Sequence, residues 1–390
     1  MTDIEYWYWL CSLKGAGPLV LFPLLYYLGC SEEERKRAGE SDNHSELILK
    51  SISADKSVLD EGIKRLFLAD RQQLVETGLI TGKKADAVTA FRHEDSIRAA
   101  CSRMYKAGIR LVPYTSEEYP RQLKQLYDPP LGLFVKGRLP GSDEWIFSSV
   151  GARACSEHGR SVARLISRGL AFAGMSIVSG MARGIDSASH WGCLDTGGRT
   201  YAVLGCGPDI CYPAVNIELY ENILETGGII SEYPPGEEPL NWHFPLRNRI
   251  IAALAKGIIV VEARKKSGSL ITAERGLELN RDIFAVPGRS DDILSEGCND
   301  LIRAGATLVT SPADVLDCFG LPVHEYKRKQ LPMDSTESKI FSRLTLMPQS
   351  ADDIMEAAEL DISTVSSALT VMEIKGLVKS VGKNQYMIKI

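Results

Sequence analysis

Residues 145–320 are predicted to form a doubly wound α/β domain, in which a parallel sheet carries helices on both faces. Short apolar runs alternate with helical stretches along this segment, as they do where crossover helices join parallel strands. The runs contain few polar residues, and strands buried on both faces have this composition. The candidate strands are residues 145–150, 175–179, 200–204, 228–231, 257–262, 282–286 and 307–309.

Four further regions are predicted around this domain. Residues 1–90 are expected to form a small helical domain. In it, Gly15-Ala16-Gly17-Pro18 closes a turn between two helices, either as a helix-hairpin-helix unit or as a plain packing unit. Residues 91–144 combine short apolar runs with proline turns and are expected to be a connector that packs on the core. Residues 321–334 have the composition of a linker. Residues 335–390 follow the order of a winged helix-turn-helix, with three helices and a hairpin.

The composition is that of an ordinary globular protein, with 44% hydrophobic and 24% charged residues and a formal net charge of −5. Binding to nucleic acid through overall positive charge is therefore disfavoured. The nine cysteines are scattered without a CxxC pair, which counts against a zinc site or a disulfide framework. The apolar run at residues 19–28 is too short to span a bilayer and contains Pro23. We expect a cytoplasmic protein with reduced thiols, no bound metal and no membrane association.

Two glycine–arginine loops follow the first two candidate strands, at the sheet edge where doubly wound folds bind ligands. They are Gly151-Ala152-Arg153 and the segment GMARGID at residues 180–186. Glycine permits close backbone approach, arginine offers a planar fork for phosphate, and a helix N-terminus attracts anions. The glycines could instead serve tight strand-to-helix packing. Neither GxGxxG nor GxxxxGK[ST] occurs, so NAD binding and ATP hydrolysis lose their main support and no cofactor is expected.

A third loop combines aromatic and basic residues. Trp242, His243 and Phe244 precede Arg247-Asn248-Arg249, and proteins that bind single-stranded nucleic acid stack bases on aromatic rings while arginine binds the backbone. In the alternative interpretation, Phe244 belongs to the core and Arg249 pairs with a carboxylate.

A fourth loop, at residues 264–269, follows the most apolar strand. Arg264, Lys265 and Lys266 supply positive charge, and Ser267-Gly268-Ser269 supplies hydroxyl and amide donors. Residues 146–318 contain 16 Lys/Arg and 20 Asp/Glu. Seven of these sixteen basic residues lie in the four loops, namely Arg153, Arg183, Arg247, Arg249, Arg264, Lys265 and Lys266. Such locally concentrated positive charge can attract a polyanion.

The loop motifs together resemble the DprA/Smf family of bacterial DNA-processing proteins over nearly all of residues 100–320. In chain order, the matching segments are Val150–Arg153, Ser179–Asp186, Tyr212-Pro213 with Asn216, Ser231–Pro234, Phe244 with Arg247–Arg249, and Ser267–Thr272. The N-terminal region resembles the family's sterile-alpha-motif-like or helix-hairpin-helix module less specifically.

The resemblance implies an extended Rossmann-like domain that binds single-stranded DNA without sequence preference, together with homodimerisation. It also implies delivery of RecA to incoming single strands in natural transformation, and no catalysis. The implied phosphate contacts are Gly151, Arg153, Gly180, Arg183, Arg247, Asn248, Lys266, Ser267 and Gly268, and the loop chemistry adds Phe244 and Lys265 as DNA contacts. Many relatives carry lysine at the position of Ala214, so one contact is either absent here or supplied by Lys265.

Two other functions are alternatives to DNA binding. A Rossmann-type nucleotide-processing enzyme, similar to a phosphoribohydrolase, would use the same phosphate loops with Glu262 as acid and base. A regulatory protein would act through the winged domain. The second helix of that domain's helix-turn-helix, predicted at residues 361–375, contains one basic residue, Lys375. Helices that read DNA present several polar donors to base edges, so we expect the C-terminal domain to contact protein.

Overall fold

The computed structural model describes residues 1–31, 33, 44–322, 333–345, 347–382 and 384–388. The chain forms two compact units: unit 1 comprises Met1–Glu144 and Tyr201–Leu254, and unit 2 comprises Trp145–Thr200 and Ala255–Ile390. Most of the predicted linker at residues 321–334 lies outside the described residues. The predicted domain boundaries stay predictions.

The helices and strands alternate along the central part of the chain. The helices are α1 (Asp3–Cys11), α2 (Pro18–Gly29), α3 (His44–Ile52), α4 (Lys56–Leu68), α5 (Arg71–Glu76), α6 (Gly82–Thr89), α7 (Glu94–Lys106), α8 (Glu157–Phe172), α9 (Ile185–Leu194), α10 (Ile217–Thr226), α11 (His243–Leu254), α12 (Gly268–Glu278), α13 (Glu296–Arg303), α14 (Pro312–Cys318), α15 (Ser335–Phe341), α16 (Ala351–Ala358) and α17 (Ile362–Ile374). The strands are β1 (Ile109–Pro113), β2 (Gly132–Gly137), β3 (Ile146–Val150), β4 (Ser176–Ser179), β5 (Thr200–Leu204), β6 (Gly228–Ser231), β7 (Gly257–Val260), β8 (Asp282–Ala285), β9 (Thr307–Leu308), β10 (Gln349–Ser350), β11 (Val378–Ser380) and β12 (Gln385–Ile388).

The N-terminal helices of unit 1 pack around buried aromatic and aliphatic side chains. Trp7 and Trp9 of α1 and Phe22 of α2 are fully buried. The helices α2 and α4 approach so closely that a Cβ atom at Gly62 would lie 2.0 Å from the Leu25 carbonyl oxygen. The predicted turn between α1 and α2 is present, and Pro18 occupies the first position of α2 as expected for a residue without an amide hydrogen.

The sheet of unit 1 has the strand order β1-β2-β6-β5. The strands β1 and β2 pair antiparallel, β2 pairs antiparallel with β6, and β6 pairs parallel with β5. The predicted connector thus contributes two strands to a sheet that also contains strands from beyond residue 200. The first turn of α11 packs on the carboxyl end of β5, where His243 Nδ1 lies 3.0 Å from the Gly205 carbonyl oxygen.

The sheet of unit 2 is parallel throughout, with the order β4-β3-β7-β8-β9. Its helices bury apolar faces against the sheet, and Phe147, Ile166 and Ile259 are among the core side chains. The chain reaches β4 on one side of β3 and β7 on the other. In such folds, ligands usually bind beyond the carboxyl ends of the strands at which the order reverses, here β3 and β7. The predicted α/β fold class is confirmed.

Residues 335–388 form the predicted winged-helix-like domain within unit 2. The helices α15, α16 and α17 enclose a core that includes Ile354, Leu369 and Met372, and the small sheet has the order β10-β12-β11. Side chains of Asp334, Ser350 and Asp361 cap the three helices. In the part of the chain that the structure describes, no helix is long and apolar enough to cross a membrane.

Candidate nucleic-acid interface

The loop after β3 is held close to the end of β7. The Ala152 amide donates to the Glu262 carbonyl oxygen at 2.7 Å. A Cβ atom at Gly151 would lie 2.6 Å from Ile185 Cγ1 and 2.9 Å from that carbonyl oxygen. Gly151 therefore has a packing role, as the alternative interpretation of the glycines allows, whereas Arg153 is exposed.

The GMARGID loop after β4 packs directly on the β3 loop. Gly184 has a φ of 82°, and a Cβ atom there would lie 2.3 Å from the Ala152 carbonyl oxygen. The Ile185 amide donates to the same oxygen at 3.3 Å. Arg183, immediately before this contact, is exposed. The structure thus brings Arg153 and Arg183 onto adjoining loops of unit 2.

Gly180 and Asp186 close the GMARGID loop on itself. The Asp186 Oδ2 atom accepts hydrogen bonds from the amides of Gly180 at 3.2 Å and Ala182 at 3.4 Å. Gly180 is buried. Its amide is directed at a carboxylate within the loop, so Gly180 is less suited to donate to phosphate than the sequence suggests.

The loop after β7 presents a basic surface followed by a helix N-terminus. Arg264, Lys265 and Lys266 are exposed. Ser267 caps α12, since its hydroxyl accepts from the Ser269 amide at 3.4 Å. Apart from the chain neighbours of Gly268 and the backbone of its own helix, no heavy atom of the described residues lies within 4 Å of the place where its Cβ atom would be. Packing therefore does not explain this glycine, and a ligand backbone has room to approach it.

Glu262, the acid and base of the enzyme hypothesis, stabilises the start of α8. Its buried carboxylate accepts from the Ser156 amide at 2.8 Å and from the Ser156 hydroxyl at 2.5 Å. The Ser156 hydroxyl in turn caps α8 by accepting from Gly159 at 2.9 Å. His190, another titratable group of this region, lies 2.6 Å from Thr200 Oγ1 in the core. These contacts give both side chains structural roles.

The aromatic residues of unit 1 form stacked pairs. Phe244 is half-buried and stacks on Tyr212, with ring centroids 5.5 Å apart and an interplanar angle of 25°. His243 stacks on Tyr233 at 3.8 Å. Trp242 is 59% exposed. Phe244 is therefore not an ordinary core residue, and Tyr212 and Trp242 extend the accessible aromatic surface beside it.

The arginines of α11 point into unit 1. Arg247 is buried and donates a hydrogen bond to the Val203 carbonyl oxygen, while Asn248 is half-buried. Arg249 pairs with Glu232 at 2.7 Å and Asp128 at 3.0 Å. Burial works to lower the pKa of Arg249, but the two carboxylates outweigh it and hold that pKa above its ordinary value. The ion-pair alternative is confirmed for Arg249, and a phosphate contact of Arg247 has less support than those of the exposed residues.

Two features of these loops are not predicted from the sequence. One is the role of Asp186 as the acceptor that closes the GMARGID loop, for which an acid in the first turn of a helix after a glycine-rich loop is a usable signal. The other is the stack of Tyr212 on Phe244, because residues 32 positions apart give no local pattern. Among the described residues, no cluster of His, Cys, Asp or Glu could hold a metal ion.

Two family models match the chain. The model for DNA recombination-mediator protein A matches residues 110–320, and the DprA winged helix domain matches residues 325–382.

Curated relatives and solved structures show the same similarity. DNA processing protein DprA of Streptococcus pneumoniae is 50% identical over 52% of this chain and 71% of its own length. Protein Smf of Synechocystis is 36% identical over 97% of both chains. The S. pneumoniae DprA crystal structure matches with a TM-score of 0.57 and 34% identity, over 83% of this chain and 99% of that one. A Helicobacter pylori structure, described by its single-stranded DNA binding mode, matches with a TM-score of 0.50 and 27% identity, over 55% and 97%. The chain belongs to the DprA/Smf family, whose Rossmann-like and winged-helix domains it shares.

Proposed function

We propose that this chain binds single-stranded DNA through its phosphates, without sequence preference, and acts as a recombination mediator that is not an enzyme. The observation that carries the proposal is the group of exposed cations on the loops after β3, β4 and β7 of unit 2, namely Arg153, Arg183, Lys265 and Lys266. Cations gathered at one edge of a sheet attract a polyanion even when the net charge is negative. The similarity to the H. pylori protein adds support.

The proposed DNA contacts differ in how well the geometry supports them. Ser267 and Gly268 offer a capped helix N-terminus with open space above it, and Gly151 and Gly180 shape the loops that carry the arginines. In unit 1, Phe244 offers a ring for base stacking, and Asn248 and Arg247 complete the proposed set. Contacts to phosphates and ring faces do not distinguish bases, which is why no sequence preference is expected.

We propose that the chain is not an enzyme because the contacts of Glu262, the candidate acid and base, are structural. Glu262 is buried and its carboxylate accepts two hydrogen bonds from the residue that caps α8. A nucleotide-processing enzyme would need this carboxylate at the substrate.

Homodimerisation, RecA delivery in natural transformation and a cytoplasmic location are proposed from family membership. A protein-contacting role for the winged-helix-like domain is proposed from α17. Ile362, Val371 and Ile374 are exposed on this helix, and Lys375, which follows it, is paired with Glu337 at 2.6 Å. An apolar surface with little positive charge fits a protein partner better than a DNA groove.

Fluorescence anisotropy with a labelled oligothymidylate tests the proposed function. We expect binding that weakens with salt, with a slope of log K against log salt of about −3 for four phosphate contacts on a single strand. A mixed-sequence oligonucleotide should bind as tightly, whereas thymidine monophosphate should not compete at equal molar concentration. Equal competition by the mononucleotide would favour the enzyme alternative.

A further inference from the structure

The segment at residues 180–186 has a carboxylate where a phosphate-binding loop usually has its ligand. Asp186 is 7% exposed, and its Oδ2 atom accepts from the Gly180 and Ala182 amides at 3.2 and 3.4 Å. Glycine-rich loops that precede a helix commonly aim such amides at a bound anion. In this chain the anion is part of the loop itself.

Further contacts hold the same loop in one conformation. Met181 has a φ of 56° and a fully buried side chain. The Ser187 amide donates to the Ala182 carbonyl oxygen at 3.2 Å, and the Ser187 hydroxyl donates to the Gly184 carbonyl oxygen at 3.2 Å. A left-handed residue other than glycine persists only where its surroundings determine it. Arg183 is the exposed residue of this otherwise buried or half-buried turn.

We propose that Asp186 is a positioning residue for DNA binding. Its carboxylate accepts hydrogen bonds from the Gly180 and Ala182 amides and thereby fixes the turn that presents Arg183 to a phosphate. The loop then binds DNA through the Arg183 side chain and not through the Gly180 amide. This inference rests on the proposed single-stranded DNA binding and assigns the way in which one loop contributes to it.

A double-mutant cycle in the full-length protein tests the assignment, with anisotropy of a labelled oligothymidylate as the readout. Asp186→Ala should weaken binding about fivefold, the effect of losing roughly 1 kcal/mol at one partly screened charged contact. Arg183→Ala should have a similar effect, and each should reduce the magnitude of the salt slope by about 0.7. The double variant should bind no more weakly than either single variant. Asp186→Asn keeps an acceptor oxygen and should bind within about twofold of wild type.

The matched control is Asp195→Ala. Asp195 lies at the other end of α9 and pairs with Arg164 at 2.5 Å, so its removal changes net charge equally and also breaks an ion pair. It should leave DNA affinity unchanged. Independent losses for Asp186→Ala and Arg183→Ala, or wild-type affinity in Asp186→Ala, would overturn the assignment, and so would a loss in Asp186→Asn as large as in Asp186→Ala.

Hydrogen exchange of the wild-type protein gives a second test if Asp186→Ala does not fold. The Gly180 and Ala182 amides should be protected before DNA is added, and saturating oligothymidylate should not slow their exchange further. Amides that exchange rapidly in the free protein and become protected with DNA would show that the backbone binds phosphate directly, which contradicts the proposal. Failure of the wild-type protein to bind the oligonucleotide would instead contradict the proposed function.

Discussion

The arginines of the candidate site occupy two different environments, buried and exposed. Arg249 is enclosed between Glu232 and Asp128, and Arg247 donates to a backbone carbonyl in the interior. Arg153 and Arg183 instead reach the surface from loops that are fixed by packing. A buried guanidinium contributes to the fold through its partners, whereas the proposed DNA contacts use arginines that are exposed to solvent.

Replacing Arg153 or Lys266 by alanine should weaken single-stranded DNA binding equally for all sequences. Each side chain is proposed to neutralise one phosphate, so the salt slope should lose about 0.7 in magnitude per substitution. Anisotropy titrations at several salt concentrations measure both effects. Lys256→Ala is the control. Lys256 immediately precedes β7 and therefore lies at the opposite end of this strand from Lys266 and the proposed DNA contacts. Unchanged affinity in both test variants would refute the site assignment without affecting the fold.

Arg249→Ala should destabilise unit 1, because it leaves the Glu232 and Asp128 carboxylates without their partner. The Arg249 side chain is 7% exposed and those of Glu232 and Asp128 are 18% and 35% exposed. Solvent therefore reduces the usual cost of breaking a buried pair, and we expect a loss of about 2–3 kcal/mol in the free energy of unfolding. Urea denaturation measures this loss. Arg289→Ala, which removes an exposed pair with Asp291, is the control and should leave the urea midpoint unchanged.

At the scale of elements, the loops that follow the parallel strands depend on glycines with different functions. Glycine is required at position 184 because φ is 82° there and because a Cβ atom would lie 2.3 Å from the Ala152 carbonyl oxygen. Gly268, at the start of α12, has an ordinary backbone conformation and open space around it. The first glycine is explained by the fold, whereas packing does not explain the second, which we propose lies against the DNA backbone.

The variants Gly184→Ala and Gly268→Ala should therefore separate folding from binding. Gly184→Ala should lower the free energy of unfolding by about 2–4 kcal/mol, through backbone strain and the clash with Ala152. Gly268→Ala should leave stability within about 0.5 kcal/mol of wild type and weaken DNA binding, because the new methyl group occupies the space proposed for the DNA backbone. Thermal unfolding measures the change in stability, and anisotropy of the same samples measures the change in DNA affinity. Normal affinity in a folded Gly268→Ala protein would exclude close backbone approach there.

Strands and helix caps can be predicted well from local patterns in the sequence, whereas pairing between distant segments can be predicted only poorly. The strand at residues 257–260 is a continuous apolar run, and the helix caps at Ser350 and Asp361 are local signals. The pairing of β2 with β6, by contrast, joins residues that are almost 100 positions apart, such as Phe134 and Ser231. Nothing in either segment alone encodes that partner, since edge-to-edge pairing depends on the assembled sheet. The burial of Arg247 escaped prediction for the same reason.

At the scale of the whole molecule, charge is arranged locally and not globally. The chain carries a net charge of −5, yet basic side chains lie on three adjacent strand ends of unit 2 and an acidic residue, Glu157, begins α8 close to them in sequence. Lys379 of the winged-helix-like domain contacts Glu157 at 2.8 Å. Within unit 2, this pair connects the C-terminal domain to the helix that follows the Arg153 loop.

The Lys379–Glu157 contact should respond to pH and salt as a partly exposed ion pair does. The hydrogen bond from Lys379 lowers the pKa of Glu157, against the opposing effect of burial. A lowered carboxyl pKa means that the pair stabilises the contact above the ordinary pKa of glutamate, and that this stabilisation is lost as the pH falls through the lowered value. Because the side chains are 30% and 41% exposed, the contribution should be below about 1 kcal/mol and should fall with salt.

Zero-length carbodiimide coupling at neutral pH tests this contact, since it joins only a carboxylate and an amine that touch. Mass spectrometry should detect a Lys379–Glu157 crosslink at low salt, with a yield that falls as salt is added. The Lys375–Glu337 pair inside the winged-helix-like domain is the internal control, because its carboxylate is only 2% exposed and a buried pair is screened less. Its crosslink should depend less on salt. Absence of the Lys379–Glu157 crosslink in a sample that yields the control crosslink would show that the two domains do not meet at these residues.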